Sequence, residues 1–287
     1  LLDTVRAFMG AISEWIKQHN IQDIECLVPG INGNAFGKLV HADKLIMEDI
    51  RLPEAVLLQS VTGGYPEEFE DILGVADSDM LLTPDPNAIS PVPWAKKPTA
   101  QVIHDCYTRD GKLHPLSSRG VLKRVIELFE KEGWRPVVAP EIEFYLIHQC
   151  SDSRSKLQPA TGRSGRAEKM HKSYTIEAIK EFDSLVEEVF LYCESMGLDA
   201  DSIVDESGAA QMEVNFLHGD ALSLADQVFS FKRMLQETAM KHGIFATFMA
   251  KPMELQPGSS IHVHQSIIGR EDGKNIFVDE QGHENKL

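Results

Sequence analysis

Apolar and polar positions alternate in two rhythms along this chain. The opening LLDTVRAFMGAISEWIKQ repeats its apolar residues at helical spacing. Its acidic residues, and the lack of a basic flank and small-residue cleavage site, lead to the expectation that this stretch is not a signal peptide. DIECLVPGINGNAFGKLV then sets two short apolar runs around Gly30, Asn32, Gly33 and Asn34, which predicts two strands joined by a turn. Five prolines between Pro84 and Pro98 exclude helix there. VIHDCYTRDG, from Val102 to Gly111, reads as a last strand and turn. A small β-rich domain over about residues 1–110 is therefore expected.

The remainder has stronger helical signals. Val121, Val125 and Phe129 recur at i, i+4 and i+8 after the candidate N-caps Ser117 and Ser118, and Gly133 ends the run. A second helix is predicted from Thr175 to Met196, stopped by Gly197. A third lies between Asp220 and Gly243, with Leu224, Val228, Phe231 and Leu235 on its buried face. Between them stand the short strand patterns VVAPEIEFYLI, AAQMEVNFL and SSIHVHQSI. The expected class is α+β, with a second domain over residues 111–287 whose strands turn polar residues to one face and whose helices cover the other. The stretch from Cys150 to Lys172 has no periodicity and carries Arg154, Lys156, Arg163, Arg166, Lys169 and Lys172. It reads as a solvated basic loop, or alternatively as an element that covers substrate or touches another subunit.

The polar faces of those three strands hold the candidate chemistry. Side chains alternate along a strand, so Glu141, Glu143 and Tyr145 share one face while Ile142, Phe144 and Leu146 share the other. Glu213 and Asn215 pair likewise in QMEVNF, and His262 and His264 in SIHVHQS. Two buried carboxylates at i and i+2 repel unless a cation compensates them. An ExE or HxH alone describes a solvated strand; three such strands amid bulky apolar residues predict a divalent-metal site. Carboxylates with one or two imidazoles suit Mg²⁺ or Mn²⁺. No Walker A motif, Rossmann glycine pattern or GxSxG elbow is present.

Composition narrows the partners. The 287 residues are 43% hydrophobic and 25% charged, which describes a globular chain. Nothing approaches the roughly 18 consecutive apolar residues of a membrane span. A formal charge of −16 argues against nucleic acid and anionic membranes; an anionic nucleotide stays compatible through a metal ion. Cys26, Cys106, Cys150 and Cys193 show no CxxC spacing, so a reduced, cytoplasmic protein is expected.

APEIEFYL, ESGAAQMEVNF, ATFMAKPM and PGSSIHVHQS, in that order, resemble the catalytic-domain signatures of the glutamine synthetase superfamily. PGINGNAFGKLV and DSDMLLTPDP resemble its small N-terminal β-grasp domain. The resemblance implies an ATP-dependent ligase that joins an amine to glutamate through a γ-glutamyl phosphate, with two or more Mg²⁺ or Mn²⁺ ions per site. It implies that Glu143, Glu206 and Glu213 hold the metal near the acceptor carboxylate, and that Glu141 and His262 hold the metal that bridges the ATP phosphates. His264 and Ser266 match nucleotide-contacting positions, and Gly258 matches the glycine beside bound glutamate. Self-association into a ring, dodecameric in most bacterial members, is also implied.

Two departures bear on the substrate and on completeness. SVTGGYPEEFEDILG stands where ammonia-using members carry an aspartate in a DGSS-like stretch, and Pro257 replaces the asparagine usual before the substrate glycine. Both are similar to the γ-glutamylpolyamine synthetase branch, whose acceptor is putrescine or a similar amine. Glu67, Glu68 and Glu70 read as a solvated acidic turn, or as a means of attracting a diamine. An ammonia-using enzyme and a non-catalytic assembly protein of the same fold are the alternatives. The resemblance also implies a catalytic domain that continues past HVHQS, so the substrate arginines and a last glutamate ligand are expected beyond Leu287.

Overall fold

The structure is a computed structural model and describes residues 2–74, 76, 78–149, 156–166, 172–278 and 281. It divides into two compact units, 1–133 and 134–287. Within the predicted basic loop, Lys156, Arg163, Arg166 and Lys172 are described, while Arg154 and Lys169 lie outside the described residues, as does Cys150.

In the first unit helix α1 (Leu2–Gln18) precedes strands β1 (Asp23–Pro29) and β2 (Ala35–His41), which pair as the antiparallel hairpin expected around the Gly–Asn turn. A short helix α2 (Ala42–Met47), strand β3 (Ile50–Pro53), a 3₁₀ turn (Glu54–Leu58) and helix α3 (Phe69–Leu73) follow. Pro84, Pro86 and Pro91 of the proline-rich stretch lie in strand β4 (Asp79–Pro91), Pro93 and Pro98 lie in the turn that follows, and β5 (Thr99–Tyr107) returns beside β4. The sheet order is β2-β1-β5-β4-β3, with β1 and β5 parallel at its centre. Ile12 and Ile16 of α1 join Ile24, Cys26, Met80 and Val102 in its core. Burial pushes the thiols of Cys26 and Cys106 up to about 12, in keeping with packing rather than reactive roles.

Helix α4 (Ser118–Lys131) is capped by the Ser117 side chain, which accepts from Gly120 N at 3.2 Å. Its first turn inserts Arg119 between two aspartates: Nη2 reaches Asp85 Oδ2 at 2.6 Å, Nη1 pairs with Asp105 Oδ1, and Lys123 pairs with Asp105 Oδ2. Arg119 and Asp105 are both buried. Burial alone would raise the Asp85 carboxyl, yet hydrogen bonds from Arg119 and from the Asn87 backbone hold it below the ordinary 3.8. The helical period read from Val121 and Val125 is present, but both side chains are exposed, as is Leu128.

The second unit begins with the long strand β6 (Trp134–His148). Helices α5 (Ile176–Glu181) and α6 (Asp183–Met196) stand where one continuous helix was expected. The break at Phe182 has its cause outside the helix. Glu181 O accepts from Arg163 N at 2.8 Å instead of bonding within the helix, and Leu185 N and Val186 N both turn to Phe182 O. Gly197 then caps α6 in the left-handed region at φ 67°. Strands β7 (Ala200–Asp205), β8 (Gln211–Phe216) and β9 (Gly219–Asp220) lead into α7 (Ala221–Lys241), whose N-cap Asp220 accepts from Leu222 N and Ser223 N. Strands β10 (Ile244–Thr247) and β11 (Ile261–Gly269) complete the sheet, ordered β10-β6-β8-β7, with β11 and β9 also pairing β6. Phe231 of α7 packs edge-on against Phe216 at 5.4 Å, which places α7 on the apolar face of β8. No helix among the described residues is long and apolar enough to cross a membrane.

Glu188 joins α6 to α7. It accepts from Tyr192 Oη at 2.7 Å and His242 Nε2 at 2.8 Å and pairs with Lys241. Burial alone would raise its carboxyl, but these partners hold it down to about 2 from the ordinary 4.5. A depressed carboxyl stabilises the folded state above its unfolded pKa, and that contribution is lost as pH falls from 4.5 through about 2. Glu188→Gln is expected to lower stability at pH 7 by about 1–2 kcal/mol and to flatten the acid limb below pH 4.5. Urea unfolding across that range measures both.

Candidate metal centre

Strand register brings the polar faces together. Glu141 of β6 lies opposite Asn215 of β8 on one side and His262 of β11 on the other. One pleat along, Glu143 faces Glu213, and beyond it Tyr145 faces Gln211. Antiparallel neighbours put such pairs about 5 Å apart on one face, so three strands carry one continuous polar floor. Glu141, Glu143, Glu206, Glu213 and His262, the five residues expected to hold metal, line a single cavity of about 520 Å³.

Three of the five converge most closely. One ligand-competent atom each from Glu141, Glu213 and His262 lie within 4.8 Å of one another. His262 Nδ1 is 3.5 Å from Glu141 Oε2 and 3.9 Å from Glu213 Oε2. This trio takes members from both ligand sets implied by the resemblance, with Glu213 standing between them. Glu143 is oriented by the loop before β11. Its Oε1 accepts from Ser260 Oγ at 2.6 Å, and its Oε2 from Gln211 Nε2 at 2.9 Å and Ser260 N at 3.2 Å. Glu206 closes the turn after β7, where its backbone N–H donates to Gln211 O and its Oε2 accepts from Ser207 N at 3.1 Å.

The electrostatics are those of a cation site. Burial, then Glu141, Glu206 and Glu143, raise the Glu213 carboxyl above 4.5, opposed only by His262. Burial, with Glu143 and Glu206, pushes the Tyr145 phenol up to about 12. The satisfied amide orientation of Asn215 turns its nitrogen toward Glu141 Oε1 and Glu213 Oε1, each at 3.3 Å. One neutral donor shared by two carboxylates cannot neutralise them. Carboxylate oxygens with an imidazole are the donor set of Mg²⁺ or Mn²⁺, so the residues fit the ion that the pattern predicts.

The remaining expected residues lie near this floor. His264 Nε2 is 3.1 Å from Glu141 Oε1. Ser266 lies further along β11, where Asn275 Nδ2 donates to its hydroxyl at 3.3 Å. Gly258 precedes β11 and offers its carbonyl to Gln211 Nε2 at 2.9 Å. Ile261 and Val263, on the face opposite the histidines, are exposed. Sequence reading passed over Gln211, although its position two residues before Glu213 puts it on the same strand face. It also missed Ser260 and Tyr174, which no periodicity marks. Tyr174 lines the cavity from a left-handed backbone at φ 61°, held by its N–H to Asp205 O at 2.8 Å, while Thr175 Oγ1 donates to Asp205 Oδ2 at 2.7 Å.

A mixed α/β domain with acidic and histidine side chains gathered on its sheet is the class that fold and cavity define. Residues 115–287 match the family model "Glutamine synthetase, catalytic domain", and the chain belongs to the glutamine synthetase family. It is 34% identical over 263 residues to glutamine synthetase of Pyrococcus horikoshii, covering 88% of this chain and 56% of that protein. Glutamate–isopropylamine ligase of a Pseudomonas species is 32% identical, covering 89% and 56%. γ-Glutamylputrescine synthetase PuuA of Escherichia coli is 27% identical, covering 98% and 60%. The solved GmaS/ADP complex superimposes with a TM-score of 0.76 at 24% identity, over 94% of this chain and 58% of that one, which shows a shared fold. The chain thus spans somewhat over half the length of these relatives.

Proposed function

We propose that this chain is part of an ATP-dependent ligase that joins an amine to the γ-carboxylate of glutamate through a γ-glutamyl phosphate. The observation that carries the reading is the convergence of Glu141, Glu213 and His262 in a cavity also lined by Glu143 and Glu206. In this reading Glu143, Glu206 and Glu213 hold one Mg²⁺ or Mn²⁺ and Glu141 and His262 a second. His264 and Ser266 contact nucleotide, and Gly258 contacts glutamate. Ions held by these residues would supply positive charge to offset that of the ATP phosphates and the acceptor carboxylate. The protein's own part is orientation. Ser260 and Gln211 fix Glu143, Asn215 spans Glu141 and Glu213, and β11 holds both imidazoles against Glu141. We take the sheet of the first unit, with its central parallel β1–β5 pair, as the family's small β-grasp domain over about 1–110, and 111–287, from before α4 onward, as catalytic domain. A ring of subunits follows from the same reading, and light scattering on the full-length protein tests it.

The acceptor we favour is a primary amine such as putrescine. The support is the absence of a DGSS-like aspartate in SVTGGYPEEFEDILG and the presence of an isopropylamine ligase and a putrescine synthetase among the relatives. Without that carboxylate, ammonium lacks a charged group to hold it and take its proton. An alkyl amine gains binding energy from its hydrocarbon. The second reading, an ammonia-using enzyme, is favoured by the higher identity to the Pyrococcus protein. ATP hydrolysis by the full-length enzyme with glutamate separates the two. Putrescine or another amine is expected to exceed ammonium at least ~10-fold in kcat/KM. Efficient glutamine formation with no gain from any amine would reject the assignment.

A further inference from the structure

The floor of the cavity and the loop before β11 are tied together by one amide. We propose that Gln211 is a positioning residue that sets the Glu143 carboxylate and the Gly258 carbonyl together, so that cation and glutamate sites are ordered as a unit; the inference rests on the ligase reading above. Gln211 Nε2 donates both its hydrogens, to Glu143 Oε2 at 2.9 Å and to Gly258 O at 2.9 Å. Its Oε1 accepts from Gly208 N at 2.9 Å. Turning the amide over would set an oxygen against a carboxylate and a carbonyl, so its orientation is unique. The side chain is 1% exposed and has no room to swing.

The surroundings reinforce this geometry. Tyr145, opposite Gln211 in register, donates from its hydroxyl to Pro257 O at 2.8 Å. Ser260 donates to Glu143 from the other end of the same loop. Pro257, Gly258 and Ser260 are therefore each fastened to β6 or β8 by a separate side chain. Gly208 carries no side chain because a Cβ there would sit 2.0 Å from the Tyr145 hydroxyl and 2.6 Å from Gln211 Oε1. A neutral carboxamide suits the post. It offers two donors without cancelling the charge Glu143 presents to a cation, whereas a carboxylate would repel Glu143 and a lysine would neutralise it.

Gln211→Met keeps length and burial but removes both donors; Gln211→Asn is one methylene shorter and cannot span both acceptors. Mn²⁺ titrated calorimetrically into the folded, metal-free full-length enzyme is expected to bind roughly 10–100-fold more weakly in Gln211→Met, with Gln211→Asn between it and the wild type. In the full-length enzyme, the tightening of glutamate binding by Mn²⁺ is expected to shrink toward none in both variants. A purely structural role would lower the melting temperature and leave the Mn²⁺ affinity of the folded chain and its coupling to glutamate unchanged, which would overturn the proposal. If Gln211→Met does not fold, the Gln211→Asn affinity and coupling decide the matter. A wild-type full-length enzyme that binds no Mn²⁺ would overturn the metal centre itself, an outcome distinct from a wild type that binds and variants that bind equally well.

Discussion

Glu213→Gln is expected to abolish Mn²⁺ binding and to cost the full-length enzyme on the order of 10³-fold in turnover, about 4 kcal/mol of lost stabilisation. Glu213 stands at the junction of the two proposed ligand sets, beside Glu141 and His262 on one side and opposite Glu143 on the other. Its carboxyl is raised by burial and by three neighbouring carboxylates, so in the absence of a cation its charge works against folding. The same substitution is therefore expected to leave the metal-free chain as stable as the wild type, or more so. With Mn²⁺ at 100 times its Kd, the wild type should gain about 2.7 kcal/mol and the variant nothing. Thermal melts with and without Mn²⁺ separate these effects. A variant that retains metal-induced stabilisation would remove Glu213 from the site. Glu143→Ala should behave alike in turnover, while Glu141→Ala and His262→Ala should act chiefly through ATP.

Arg119→Ala is expected to destabilise the first unit by about 3–5 kcal/mol, because it leaves half-buried Asp85 without its guanidinium and buried Asp105 with Lys123 as its remaining cation. A domain with a total stability of ~5–15 kcal/mol could be largely unfolded by such a loss. Arg119→Lys should recover little of it, since an ammonium lacks the planar fork whose two nitrogens each reach a different aspartate. Asp85→Asn combined with Arg119→Met removes a charge from each side and should cost less than Arg119→Ala alone. Urea unfolding followed by far-UV circular dichroism measures all four proteins. A loss below about 1 kcal/mol for Arg119→Ala would mean that the network carries no more than an exposed ion pair.

Much of this chain was legible before any coordinates. The Gly–Asn hairpin of β1 and β2, the extended proline stretch in β4, and α7 from its Asp220 cap all follow from local rules: turn chemistry, the missing amide of proline, and a side-chain acceptor for orphan N–H groups. The period of two in PEIEFYL, QMEVNF and SIHVHQS was enough to sort carboxylates and imidazoles onto one face of each strand. The helix over Thr175–Met196 was only half right. Its break at Phe182 depends on Arg163 and Ser164 engaging Glu181, and a periodicity confined to the helix holds no trace of that contact.

Which strands stand side by side, and in what register, was decided by the tertiary structure alone. Alternation assigns Glu143, Glu213 and His262 to faces, but a shift of one residue in pairing would send each to the opposite side. The observed register puts Glu143 against Glu213 and Glu141 against His262. Gln211 shows the same division. Its face could be read two residues from Glu213, yet its grip on Glu143 and Gly258 joins residues 68 and 47 positions away. Backbone rules act over a few residues and are written in the sequence they govern. The meeting of distant side chains is set by how whole sheets pack and close, and only the folded chain specifies it.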